Sequence, residues 1–174
     1  MTIQSFGPDS ALADARFLRG LGLGLCLSPT DEFGKFNEEA PETNWSVVCG
    51  RSGGLVAFEI AESQEIHLPP LPETWRVIRP GATHLWFAPP RLAEGDPLPD
   101  SNFRGARILE RAPVPGSLHP ATGDRYFWGV TNPKTLSAPA QLPEKIWREI
   151  PKNVQKGFKP HIMFTKRKTA INEY

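Results

Sequence analysis

Trp45-Ser46-Val47-Val48-Cys49-Gly50, Leu55-Val56-Ala57-Phe58-Glu59-Ile60-Ala61-Glu62, Trp75-Arg76-Val77-Ile78 and His84-Leu85-Trp86-Phe87 are the four runs whose reading decides the fold. Each is short, and rich in β-branched or aromatic residues. Glycine or proline separates them: Arg51-Ser52-Gly53-Gly54 after the first, a Pro-rich linker after the second, and Pro80-Gly81 before the fourth. That is a strand pattern. It places Glu59, Glu62 and His84 at or near strand ends. Acidic groups at a strand end, with a histidine from a neighbouring strand, can converge on one cation or one phosphate.

Working outward, Leu12, Ala15 and Leu18 recur at helical spacing within Asp9 to Arg19, with Gly20 as a stop, and predict a helix. Leu23-Gly24-Leu25-Cys26-Leu27 reads as a buried strand. Residues 28–43 are polar, acidic and turn-rich, with Lys35 as their only lysine, and read as a solvated loop. Residues 91–104 lack periodicity and read as loop. Ala106 to Arg111 predicts one strand, Tyr126 to Gly129 another, and residues 130–142 an extended polar stretch. Pro143 to Glu149 predicts a helix with Ile146, Trp147 and Ile150 on one face, broken by Pro151. Strands with interspersed helices imply an α+β fold with a mixed or antiparallel sheet. The chain divides into a body, residues 1–150, and a basic C-terminal extension, residues 151–174.

At 174 residues one domain with a real core is expected. The 19 prolines and 15 glycines argue for many short elements. No apolar run approaches the roughly 20 residues of a membrane span, so no membrane partner is expected. The N-terminus lacks the basic-then-apolar order of a secretory signal, so a cytoplasmic location is expected. Cys26 and Cys49 read as buried thiols, being too few for a zinc site. There is no Walker-type Gly-Lys-Ser/Thr loop and no Gly-x-Ser-x-Gly elbow, which argues against a P-loop ATPase and a serine hydrolase. The net charge of +1 is uneven: residues 1–50 carry −4, residues 51–143 are neutral, and residues 144–174 carry +5. A basic end on a neutral body points weakly to nucleic acid or another acidic partner.

The order of these pieces resembles the N-terminal domain of bifunctional DNA primase/polymerases, the prim-pol branch of the archaeo-eukaryotic primases. Those domains run from an Asn-x-x-Val-x-x-Gly strand through a Ser-Gly turn into a strand ending Asp-x-Asp. A Gly-rich turn and His-Leu-Tyr-Phe follow, then Ser-x-His and Tyr-x-Trp. The corresponding residues are Asn44 to Gly50, Ser52-Gly53, Phe58-Glu59-Ile60-Ala61, and Pro80 to Phe87. Ser117-Leu118-His119, Gly123 and Tyr126-Phe127-Trp128 complete the set. The likeness spans about residues 8 to 150.

The resemblance implies a primase-polymerase-like mixed β-sheet domain with flanking helices, and a site on it. Polymerisation needs two divalent metals, Mg²⁺ or Mn²⁺, held by carboxylates. Glu59 takes the first place of the acidic pair, and Ala61, which has no ligand, takes the second. Glu62 replaces it only if the strand has ended. Asp100 is the candidate third carboxylate, with Glu110 as the alternative. These make Glu59, Glu62 and Asp100 the candidate catalytic and metal-binding residues. Arg79, Thr83, His84, Ser117 and His119 are the candidate nucleotide-binding residues, and Arg51, Arg104, Arg107, Arg111 and Arg125 add charge around their loops. In the tail, Lys156, Lys159, Lys166, Arg167 and Lys168, with Phe158 and Phe164 for stacking, are candidates for single-stranded DNA or RNA.

Two functions follow from the resemblance. One is a primase/polymerase-like protein of DNA replication that binds nucleoside triphosphate or nucleic acid through a degenerate metal site. The other is an active two-metal primase/polymerase. A separate helicase or replication protein, of a plasmid or phage, would supply the parts such a short chain lacks. Glu59 and His84 are expected to point toward one cleft and to open into the same groove, on one face of the sheet.

Overall fold

The computed structural model describes residues 8–28, 44–91 and 94–153. Helix α1 (Pro8–Gly20) leads. Ala11, Ala15 and Leu18 form its buried stripe, with Leu12 packed at the flank. Strands β1 (Leu25–Ser28), β2 (Asn44–Val48), β3 (Val56–Ala61), β4 (Trp75–Arg79) and β5 (Ala82–Phe87) follow. Then come β6 (Asp96–Pro97), β7 (Asn102–Phe103), β8 (Ala106–Ile108), β9 (Arg111–Pro113) and β10 (Phe127–Trp128). Helix α2 (Glu144–Glu149) and β11 (Lys152–Asn153) complete the described chain. The fold is α+β, with few helices.

The larger sheet has six strands in the order β10-β4-β5-β3-β8-β7. A three-stranded sheet runs β1-β2-β9, and β6 pairs with β11. Every pairing between these strands is antiparallel, which is one of the two arrangements expected from the residues and corrects the mixed sheet that the resemblance implies. The reason is the length of the connections. Only Pro80 and Gly81 separate β4 from β5, and only Arg104 and Gly105 separate β7 from β8. Two residues can reverse a strand but cannot cross over to a parallel one. Gly81 takes φ +82°, and Arg104 and Gly105 take +52° and +93°, the left-handed backbone that tight hairpins need.

Two expectations along the chain change. Residues 91–104, read as loop, contribute β6 and β7, each only two residues long and so without a period to detect. The single strand expected over Ala106 to Arg111 is divided between the two sheets. The division falls at Leu109, which donates its N–H to the Ala57 carbonyl at 3.0 Å, and Glu110, whose carbonyl accepts from Cys49 N–H at 2.8 Å. Cys49 itself is half-buried rather than buried.

Both faces of the six-stranded sheet are covered. On one, Ala57, Trp75, Val77 and Trp86 pack with α1 and with Trp45, Val47, Ala112 and Val114 of the smaller sheet. Trp128 meets Trp75 and Trp86 edge-on at 5.7 and 5.5 Å. On the other face, Val56, Phe58, Phe87, Phe103 and Ile108 pack with Ile146, Trp147 and Ile150. Fully burying each such aromatic contributes on the order of 3 kcal/mol. Helix α2 stops because Ile150 precedes Pro151 and is driven to extended backbone, φ −66° and ψ 134°. Beyond it, Lys152 and Asn153 pair with Pro97 and Asp96. Among the described residues no helix is long and apolar enough to cross a membrane.

Candidate functional site

The register of three central strands builds the site. Glu59 on β3 stands opposite His84 on β5, and Val77 on β4 continues that row. One step along, Ala61 stands opposite Ala82, and Ala82 opposite Arg79. On the other side of β3, Glu59 stands opposite Arg107 of β8. Residues directly opposite share a face, as do i and i+2. Glu59, Ala61, Arg79, His84 and Arg107 therefore lie on one face, beside the tryptophan core.

Their side chains meet. His84 Nε2 donates to Glu59 Oε2 at 3.0 Å. Arg107 grips the other oxygen, with Nε at 3.1 Å and Nη2 at 2.9 Å from Oε1. Arg79 Nη2 lies 3.7 Å from Oε2. Glu59 is 13% exposed, Arg79 17% and His84 1%, whereas Arg107 is 50% exposed. The hydrogen bond from His84, helped by the Arg107 guanidinium and opposed by burial, holds the Glu59 carboxyl down to about 2 from an ordinary 4.5. Burial drives the His84 imidazole below its ordinary value, against the pull of Glu59. The ring is therefore neutral at pH 7, with the proton on the nitrogen that faces the carboxylate.

Asp100 joins this cluster only through Arg107, whose Nη1 donates to Asp100 Oδ1 at 3.2 Å. Asp100 sits in a turn at φ +57°. Glu110 is exposed where the chain passes between the two sheets. Glu62 is the first turn residue after β3, so the strand has ended as its candidacy required. Its N–H donates to the Gly81 carbonyl at 3.0 Å, and its side chain is exposed. Thr83 is placed apart from His84: adjacent strand positions face opposite ways, and Thr83 shares its face with Ile60 and Ile78.

The second polar loop is stitched to the start of β2. Ser117 Oγ accepts from Trp45 N–H at 3.0 Å and donates to the Trp45 carbonyl at 3.1 Å. Asn44 exchanges two hydrogen bonds with the Leu118 backbone, at 2.9 and 3.3 Å. Ser117 is buried, and its hydroxyl is used in holding the loop. His119 is half-buried, and its Nδ1 accepts from the Ala121 and Thr122 N–H groups at 3.3 and 3.2 Å. That leaves Nε2 as its donor. The Tyr126 ring lies between the histidines, 5.4 Å from His84 and 6.2 Å from His119, and links the loop to the cluster.

Arg107 and Tyr126 are the residues that sequence reasoning did not single out. Arg107 was one of five scattered arginines. Its signal was the alternation of buried Ala106 and Ile108 around it, which needs the register of β8 to be useful. Tyr126 enters the sequence reading as part of a strand and of the Tyr-x-Trp motif, with no role of its own. Of the other arginines, Arg104 pairs with Glu149 at 2.8 Å, and Arg125 donates to the Gly116 carbonyl. Lys156, Lys159, Lys166, Arg167 and Lys168 lie outside the described residues, as do Lys35, Phe158 and Phe164.

Mg²⁺ or Mn²⁺ does not fit this donor set. A hard cation needs several oxygens converging on it. Both Glu59 oxygens already face N–H donors, Asp100 is reached only through a guanidinium, and Ala61 supplies no ligand. Among the described residues, no group of three or more His, Cys, Asp or Glu side chains is arranged to hold a metal ion. What the face does offer is guanidinium and imidazole donors around one ionised carboxylate. No family model, curated protein or solved structure matches this chain.

Proposed function

We propose that this chain is a primase/polymerase-like protein of DNA replication that binds nucleotide or nucleic acid through its phosphates and whose metal site is degenerate. The observation that carries this is the meeting of Glu59, His84 and Arg79 on one face, joined by Arg107. The ordered motifs of the resembled family supply the rest. Ala61 shares the face of Glu59, so a carboxylate at 61 would stand beside it. With Ala there, the arginines Arg79 and Arg107 and the donor nitrogen of His119 remain for phosphate. Guanidinium forks suit phosphate oxygens, and the His119 imidazole adds a further donor. Phosphoryl transfer also requires metals that clamp the entering and leaving oxygens. Losing that clamp slows transfer, each ~1.4 kcal/mol of lost stabilisation being worth about tenfold in rate.

The test is nucleoside triphosphate binding beside primer extension and primer synthesis, with Mg²⁺ and with Mn²⁺. The expected result is binding without extension, and gain of metal-dependent extension in Ala61→Asp. Efficient extension by the unaltered protein, abolished in Glu62→Ala, would show an active enzyme with Glu62 as the missing ligand.

The same proposal assigns the basic tail to single-stranded nucleic acid, through Lys156, Lys159, Lys166, Arg167 and Lys168. Such binding weakens steeply with salt, because phosphate counterions are released. Truncation after Asn153 keeps β11 and should lower both affinity and salt dependence. Unchanged affinity in the truncated chain would remove the tail from the account.

A further inference from the structure

We propose that Arg79 and Arg107 form a metal-independent subsite for a phosphate oxyanion, whose donors Glu59 and Asp100 hold as intramolecular counter-anions. The inference rests on the reading of this face as a phosphate site. It adds which groups take the ligand, and what restrains it.

The donor inventory of Arg79 is the first observation. Its Nη1 donates to the Pro80 carbonyl at 2.9 Å, and its Nη2 stands at a loose 3.7 Å from Glu59. Its Nε is buried with no acceptor. The Tyr126 hydroxyl bonds the same guanidinium, and the buried Nε that is left without a partner can still take an acceptor. Arg107 is the second. It spends Nε and Nη2 on one oxygen of Glu59 and Nη1 on Asp100, yet half of its side chain faces solvent. An incoming anion can therefore reach this guanidinium without opening the core.

The charge balance is the third observation. Two guanidinium groups are matched by two carboxylates, each within ion-pair distance. A carboxylate and a phosphate compete for the same planar fork, and the phosphate brings more charge and more oxygens. The Asp100 carboxylate is 67% exposed and, among the described residues, is held by Arg107 alone, so it is the easier of the two to displace. Glu59 lies beneath and limits how tightly the ligand is drawn in. Removing either negative charge leaves the subsite with a net positive charge, and attraction for an oxyanion rises.

Calorimetric titration of the full chain with inorganic tripolyphosphate, in EDTA and at low salt, tests this. Parallel titrations use a nucleoside triphosphate with Mg²⁺. The unaltered protein should bind tripolyphosphate without metal, and Arg107→Ala should abolish that binding. Asp100→Asn should tighten it about threefold and Glu59→Gln about tenfold, the buried charge counting for more than the exposed one. Should Glu59→Gln fail to fold, Asp100→Asn, an exposed position, still decides the matter. Weaker or unchanged binding in Asp100→Asn overturns the counter-anion assignment. Triphosphate binding that requires Mg²⁺, with no tripolyphosphate binding by any variant in EDTA, overturns the subsite but leaves the nucleotide reading standing. No binding in either titration overturns both.

Discussion

Glu59 and Ile60 are neighbours in one strand, as are His84 and Thr83 in the next, yet each pair divides between two unlike faces of the same sheet. Ile60 and Thr83 lie toward the side where Phe58, Phe87 and Phe103 pack on α2. There the Phe58 ring meets Phe87 edge-on at 6.0 Å and Phe103 stacked at 6.1 Å. Glu59 and His84 lie toward the tryptophan side, where the strand ends carry an ion-pair network. The first face is held by burial, which is non-directional and insensitive to pH. The second joins a buried tryptophan core to an ion-pair network at the strand ends, which depends on charge and hydrogen-bond geometry and keeps Arg107 half open to solvent. The difference teaches that a strand can place core and chemistry one residue apart, because alternation insulates one from the other.

The largest expected effect breaks the apolar face. Phe58→Ala removes a fully buried ring and should cost about 4 kcal/mol in urea unfolding. Glu59→Ala, one position on, should cost less, about 3 kcal/mol, by leaving Arg79 and His84 without their carboxylate. A Glu59→Ala protein as stable as the unaltered one would mean that the network holds nothing.

Acid sharpens the comparison. The Glu59 carboxyl is depressed from 4.5 to about 2, so its contribution is complete above pH 4.5 and is lost as pH falls from there toward 2. That gap corresponds to about 3 kcal/mol at most. The His84 imidazole is also depressed, from 6.5. The unfolded chain takes up that proton below pH 6.5 while the folded chain resists it, so stability falls further on the acid side. Thermal melts between pH 7 and pH 3 should therefore fall in two stages. Glu59→Gln should flatten the stage below pH 4.5, whereas Phe58→Ala should lower every melt and keep both stages. A stage below pH 4.5 that persists in Glu59→Gln would belong to another carboxyl.

Much of this division was legible in the residues. The strand runs, both helices and the Pro80-Gly81 reversal follow from local chemistry, and Glu59 and His84 share a face as expected, although His84, 1% exposed, does not open into the expected groove. Register was not legible, because it depends on partners far along the chain. That is why Arg107 does not stand out from the four other arginines around these loops, although β8 sets it opposite Glu59. Thr83 is a different case: its place in the Pro80 to Thr83 turn of the motif groups it with His84, although alternation along the strand puts it on the other side. Ser117 was read as a ligand donor because its motif names it. Only the position of Trp45, 72 residues away, shows that its hydroxyl is engaged within the fold. The two-residue strands β6 and β7 carry too few side chains for any period to be seen.

Arg107 supplies the most direct measurement of the central claim, since it is half-exposed and belongs to the charged face alone. Nucleoside triphosphate affinity should be measured calorimetrically on the unaltered chain and on Arg107→Ala, with thermal melts of both at pH 7. Binding by the unaltered chain, weakened at least about tenfold in Arg107→Ala while the melting midpoint shifts by only a few degrees, is the predicted result. Equal affinity in the two proteins, or no binding by either, would contradict the assignment of this face to phosphate.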